Sequence, residues 1–579
     1  MKNGLVAGWL PVVCFSALAV GCGSGTIICS ANQVCTPTSG ANPCQNYQTT
    51  CSSSTATPAC TTSGKADGVS CGGSNVCTAG VCGPPTRTVS GKLRSRYRKE
   101  DGTTTVVAGS PAENPVTVTG LLVADNSANG YTLFPVALDA DFHFSVSNVP
   151  IGHYFLQVDT TTFPVSGTGQ VATVNRTLYE LTTSTPDLTT LVNGRSDRVA
   201  ATQRTPVTLN LTDGVSWRRS DTLIIAGSQV PAYQRPALGL SPPISNGATS
   251  ISGTFDWQDP VINFSPVRQT AFLPDASKGD VTWVYHRTAM PVSSTTGAST
   301  TDWRYALEYA KLANLSIPNG GPATITATLS AAPQTGSLPG DFRSSQFAAL
   351  ATAVNPAATQ SANNATGVSV LANPYSLTYP DMGVSPVSLG FFITTDATTD
   401  VNYGALHYGR FFDSVWHEFA EIFYSYDINL NAPGYPGTVT ASASYLADIP
   451  MSSVPTSYTP TLSPPTAPKI NGIDAFTTHS AGAAPIIGWS APAIGTATRY
   501  TVGVTFQIGT NVMAGDVVSL RAVVYSGNSF KVPGTFMKPG QFYSGEVLAV
   551  SSPETLDGPP FAQGLPHTSV GTDFGLFGP

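Results

Sequence analysis

A chain of 579 residues with 11% charged side chains carries less than half the usual charge of about 25%. Thr, Ser, Gly and Pro fill the gap, a composition that suits short strands joined by many turns. Net charge is only -7, and the densest basic run, "RSRYRKED" (94–101), sits beside acidic residues, so a sustained nucleic-acid-binding face is excluded. The fold class that follows is mainly β, with tandem β-sandwich domains after a disulfide-rich N-terminal module.

The opening "MKNGLVAGWLPVVCFSALAVGC" has Lys2 before a short apolar run from Leu5 to Ala19. That run is too short to cross a bilayer comfortably and reads as a cleaved signal over 1–21. Its end, "AVGC", resembles a bacterial lipobox, with Ala19 where Leu is commoner. The resemblance implies lipidation of Cys22, export, and anchoring to the cell envelope, at an outer membrane or cell surface, without a spanning helix. No later stretch is apolar enough to cross a membrane.

All ten cysteines lie in the first 82 residues. With Cys14 in the signal and Cys22 reserved for lipid, Cys29, Cys35, Cys44, Cys51, Cys60, Cys71, Cys77 and Cys82 remain. An even set in a segment almost without large apolar side chains predicts a disulfide-stapled stalk over 22–86. Spacing does not fix the pairing. No C-x-x-C pair suggests a metal. "DGVSCGGSNVCTAGVC" (67–82) looks like the small Cys-rich repeats of secreted and surface proteins, which serve as spacers or contacts.

After a proline hinge at 83–88, "ALDADFHFSVSNVPIGHYFLQV" (137–158) predicts a strand with Phe142, Phe144 and Val146 on one face. A turn follows, then a returning strand with Tyr154, Leu156 and Val158. Asp139, Phe142, Phe144, Val149, Pro150, Gly152, Tyr154, Leu156 and Val158 resemble the recurring element of the carboxypeptidase regulatory-like (transthyretin-like) sandwich. That resemblance spans 87–160 and implies an accessory domain without catalytic residues; His143 and His153 are expected to be surface or structural.

The region 161–462 resembles no family named here. Its strand-like segments, among them "TPVTLNLTDGV", "LIIAGSQV", "GDVTWVYHRTAM" and "VSLGFFITT", predict one or two sandwiches. One short helix is expected, capped by Asp341, with Phe347, Leu350 and Val354 on one face and Pro356 ending it. "NPAATQSANNATG" (355–367) reads as an exposed loop. Over 463–555, Trp489, the alternating Tyr500, Val502 and Val504, and Met537, Pro539, Gly540 and Tyr543 in "FMKPGQFY" resemble a fibronectin type III domain with its tyrosine corner. The Gly- and Pro-rich stretch 556–579 is expected to be a flexible tail.

"HEFAE" (417–421) starts like a zincin helix but carries Glu421 where the second His must stand. Around it, Trp416, Ala420, Ile422, Tyr424, Tyr426, Ile428 and Leu430 alternate with more polar residues. A strand is therefore predicted, with His417, Glu421 and Asp427 on a solvated face; His286 receives the same reading. Asp125, Asp396 and Asp400 read as turn residues. No nucleophile elbow or phosphate loop occurs, so no catalytic residue, cofactor or metal is assigned. The expected role is structural, adhesive or ligand-binding at a bacterial envelope, with a protein or carbohydrate ligand. The competing reading is carbohydrate binding or processing by the middle region, for which two close buried carboxylates would count.

Overall fold

The structure, a computed structural model, describes residues 45–50, 59–65, 69–72, 75–78, 81–83 and 85–579. From the last range, 112–114, 126, 128, 163–171, 182, 213, 232, 260–270, 297–298, 361–365, 375–377, 380–381, 384–385, 395–397, 432–437, 478, 509–512, 514 and 554–562 are excepted. The chain forms two compact units, Met1–Thr86 and Arg87–Pro579.

In the first unit, Gln45–Thr50 pairs antiparallel with Ala59–Gly64, and Ser70–Gly72, Asn75–Thr78 and Val81–Gly83 make a small three-stranded sheet. Cys71 is bonded to Cys82, and Cys77, fully buried, is also disulfide-bonded. Cys60 lies on the strand Ala59–Gly64. Cys22, Cys29, Cys35, Cys44 and Cys51 fall outside the described residues.

Tandem β-sandwich domains follow this disulfide-bonded module, and the chain is mainly β. The strands that position the features below are β1 (Val116–Ala124), β2 (Tyr154–Thr162), β3 (Thr173–Glu180), β4 (Thr222–Gly227), β5 (Thr282–Ser293), β6 (Thr300–Leu312) and β7 (Thr366–Asn373). They continue with β8 (Val387–Thr394), β9 (His417–Asn431), β10 (Thr438–Pro450), β11 (Arg499–Ile508), β12 (Val517–Val524), β13 (Phe542–Ser551) and β14 (His567–Asp573). One unbroken ladder joins all of them in the order β1-β2-β3-β12-β11-β13-β14-β10-β9-β7-β8-β6-β5-β4. The β3–β12 join is parallel and the rest are antiparallel. Early and late segments of the chain thus share one sheet.

Apolar cores lie on both faces of this sheet, which explains several sequence patterns. "TLIIAG" is apolar throughout because Leu223 and Ile225 enter one core while Ile224 and Ala226 enter another. A three-stranded sheet, 206–212 with 250–256 and 323–328, closes the first of these through Leu209, Ile251 and Ile325. On β2, Tyr154, Leu156 and Val158 face the N-terminal core, while Phe155 enters a core with Trp489 and Val502. Phe155 meets Phe530 edge-on at 5.6 Å.

The β3–β12 join is fastened by Glu180. Its carboxylate accepts the N–H of Ser526 at 3.0 Å, together with the N–H of Tyr525 and the Ser526 hydroxyl, and it pairs with His153. Tyr131 adds a bond from its hydroxyl to the carbonyl of Lys531 at 2.8 Å.

Four local expectations change. Phe142 does not alternate with Phe144: it sits at φ 59° and is 38% exposed, ahead of the strand His143–Pro150. The cause is Asp139, whose Oδ1 accepts the N–H groups of Asp141 and His143 and curls the chain into a turn. The helix is two short pieces, Ser344–Ala348 and Ala351–Val354, which do bury Phe347, Leu350 and Val354. Asp341 does not cap it; Asp400, from a distant segment, accepts the Ser345 N–H at 3.0 Å instead. Within 355–367, Asn355 is buried and gives its amide to the carbonyl of Asp573, and 358–360 is a strand.

The fourth change is the largest. The expected flexible tail contains β14, every residue of which is buried, wedged between β10 and β13. Val570 joins the large core and the Thr572 hydroxyl bonds carbonyls of Ala353 and Pro465. Glycine and proline there mark turns around a strand, and the strand itself is specified by partners far away in sequence.

Candidate functional site: a carboxyl row across the central strands

"HEFAE" opens β9, a strand as its alternation predicts. In a strand, His417 and Glu421 are four residues and therefore roughly 13 Å apart, so they cannot share one metal ion. Among the described residues, no three His, Cys, Asp or Glu side chains come close enough to hold a metal. Glu418 points to the opposite face, where it accepts from the Tyr408 hydroxyl at 2.7 Å and from Arg410 at 2.8 Å.

The solvated-face reading holds for His417, which is exposed, and only in part for Glu421 and Asp427, which are half-buried. Glu421 stands directly opposite Asp448 on β10, and Asp448 stands directly opposite His567 on β14. Directly opposed residues share a face with Cβ atoms about 4.5–5.5 Å apart. Asp448 is 3% exposed and His567 5% exposed. Their nearest approach, Oδ2 to Nδ1, is 4.0 Å, too long for a hydrogen bond. Asp448 Oδ1 and His567 Nδ1 have no hydrogen-bond partner among the described residues.

Burial and the adjacent Glu421 hold the Asp448 carboxyl well above the usual carboxylate range, and burial raises Glu421 as well. His567 is pushed down to about 4, by burial and then by Arg499. Further along the same face, Glu546 on β13 opposes Asp573 on β14. Burial and then Glu546 raise Asp573 strongly; burial raises Glu546 despite Arg521. Asp573 Oδ2 is without a hydrogen-bond partner among the described residues. The row can store and release protons. Asp448 is too deeply buried for a saccharide to reach it in this arrangement, which separates the pair from a working glycosidase pair.

His286 is the second correction. It is fully buried on β5, 2.8 Å from Asp221, and stacked on Trp217 at 5.0 Å between ring centres. The Asp221 carboxylate also accepts from the Thr288 hydroxyl at 2.8 Å and the Arg218 N–H at 2.7 Å. Burial pushes its carboxyl up, and those three bonds together bring it below the usual range. Alternation could not warn of this, because β5 is covered on both faces.

Other sequence candidates are structural. His143 is half exposed beside Asp139, and His153 pairs with Glu180. Asp125 closes its own turn through Ser127 and Thr132, and Asp396 lies outside the described residues. Tyr543 is buried, accepts the Lys538 N–H at 3.1 Å and donates to Gln541 at 2.8 Å. No protein-family model matches this chain, and no curated protein is detectably similar to it.

Proposed function

We propose that this chain is a lipid-anchored surface protein of a bacterial envelope, with a structural, adhesive or ligand-binding role. In this reading Cys22 carries the lipid, a disulfide-stapled stalk follows, and the β domains form the working body. The sandwich around 87–160 resembles the carboxypeptidase regulatory-like family and 463–555 the fibronectin type III family, both of which commonly serve as accessory or spacer modules.

The observation that carries the reading is the unbroken ladder from β1 to β4. A body whose early and late segments share one sheet resists being pulled apart into independent beads, as suits a presenting arm. The ligand class is a protein or a carbohydrate. The test is fractionation of cells expressing parent and Cys22→Ala. The parent should partition into detergent and the variant should move to the soluble fraction; unchanged partitioning would refute the anchor.

A further inference from the structure

β14 enters the sheet between two strands that each oppose it with a carboxyl group: Asp448 of β10 faces His567, and Glu546 of β13 faces Asp573. Glu421 stands behind Asp448 on β9. Glu546 lies across Gly503 of β11, where an added Cβ would fall 2.6 Å from its Oε1. The cations that act on this row are Arg499 of β11, opposite Val550, and Arg521 of β12, opposite Gly503. Arg304 of β6 shares the face farther along, opposite Phe391 of β8, which stands opposite Ser369 of β7 and so in line with Glu421. Between the two carboxyl pairs the face is neutral, with Ser569 against Leu446 and Val550, and Gly571 against Leu548. No hydrogen bond among the described residues stabilises an anionic Asp448 at Oδ1 or an anionic Asp573 at Oδ2. Ionising either pair puts two negative charges side by side, one on a buried aspartate and one on a half-buried glutamate.

We propose that β14 is a proton-controlled latch, docked between β10 and β13 while the flanking carboxyls carry protons and released when they ionise. The direction follows from proton binding. Carboxyls raised in the docked state contribute stability that is full below their free values of about 4 and is lost as pH climbs through the raised values. His567 works the other way: lowered to about 4, it contributes stability above its free value near ~6.5 and loses it as pH falls through about 4. Four carboxyls act against one imidazole, so alkaline release dominates.

The experiment is hydrogen exchange of the full mature chain from about pH 5 to about pH 10, with protection corrected for base-catalysed intrinsic exchange. Protection at 567–573 should fall by about tenfold or more before that at 282–293 changes, since one unit of pKa is one decade. The double variant Glu546→Gln, Asp573→Asn and the single variant Asp448→Asn should each keep 567–573 protected to higher pH. Protection that is independent of pH, that is lost in step with 282–293, or that falls at the parent's pH in both variants would overturn the latch.

Discussion

His286 and His567 are both buried on strands beside an aspartate, yet their surroundings are opposites. Asp221 receives His286, a hydroxyl and a backbone N–H, so its carboxyl stays below the ordinary range although it is buried. Among the described residues, Asp448 is opposed by Glu421 and lies 4.0 Å from the His567 imidazole, and its carboxyl rises well above that range. Burial alone does not decide ionisation. The count of donors aimed at the carboxylate does, because each bond to the charged form offsets part of the desolvation cost.

The sharpest way to break this contrast is to make one substitution in both places. Asp221→Asn puts an NH2 donor where a carboxylate oxygen now accepts, facing groups that donate to it, and should cost about 3 kcal/mol, within the range for breaking a buried charged network. Asp448→Asn keeps the uncharged form that burial and Glu421 favour there and should change stability by about 1 kcal/mol or less at neutral pH. Urea unfolding of the full chain measures both. Equal losses would mean that the two aspartates share one charge state.

A hydroxyl tests the same rule at Tyr543. Tyr543→Phe keeps the ring but strands the Lys538 N–H, and should cost about 1–2 kcal/mol. An unfolding midpoint equal to the parent's would remove that bond from the account.

The smallest effect belongs to the half-exposed His153. Its bond to Glu180 raises the imidazole despite partial burial. The pair therefore stabilises the β3–β12 join fully below the free value of about 6.5, and that contribution is lost as pH rises through the raised value. Melting temperatures of parent and His153→Gln across that window should converge at the alkaline end; a constant gap would separate His153 from the titration.

Much of the architecture was legible locally. The strand period of "SVWHEFAEIFYSYDINL" identified β9, and "HYFLQV" identified β2. Illegible were the features set by distant partners. A polar residue on an alternating strand looks solvated whether its face meets water or a second layer, which hides the burial of His286. The glycines and prolines around β14 hide a strand whose partners are β10 and β13. Phe142 failed for a local reason, since an aspartate three residues earlier outweighed the strand period. The Asp–His contrast has no sequence signature: both are a lone His on a strand, and their partners lie 65 residues away in one case and across the β10–β14 pairing in the other.

The parallel seam between β3 and β12 also has a temporal side. Glu180 and the Tyr525 N–H it binds are separated by 345 residues. A chain emerging from its N-terminus therefore presents β3 as an open strand edge long before β12 exists, and open edges invite pairing with other chains. Closing so long a loop is slow, because its entropy is lost before the contact is gained. The interval before β12 arrives is therefore the period of greatest aggregation risk.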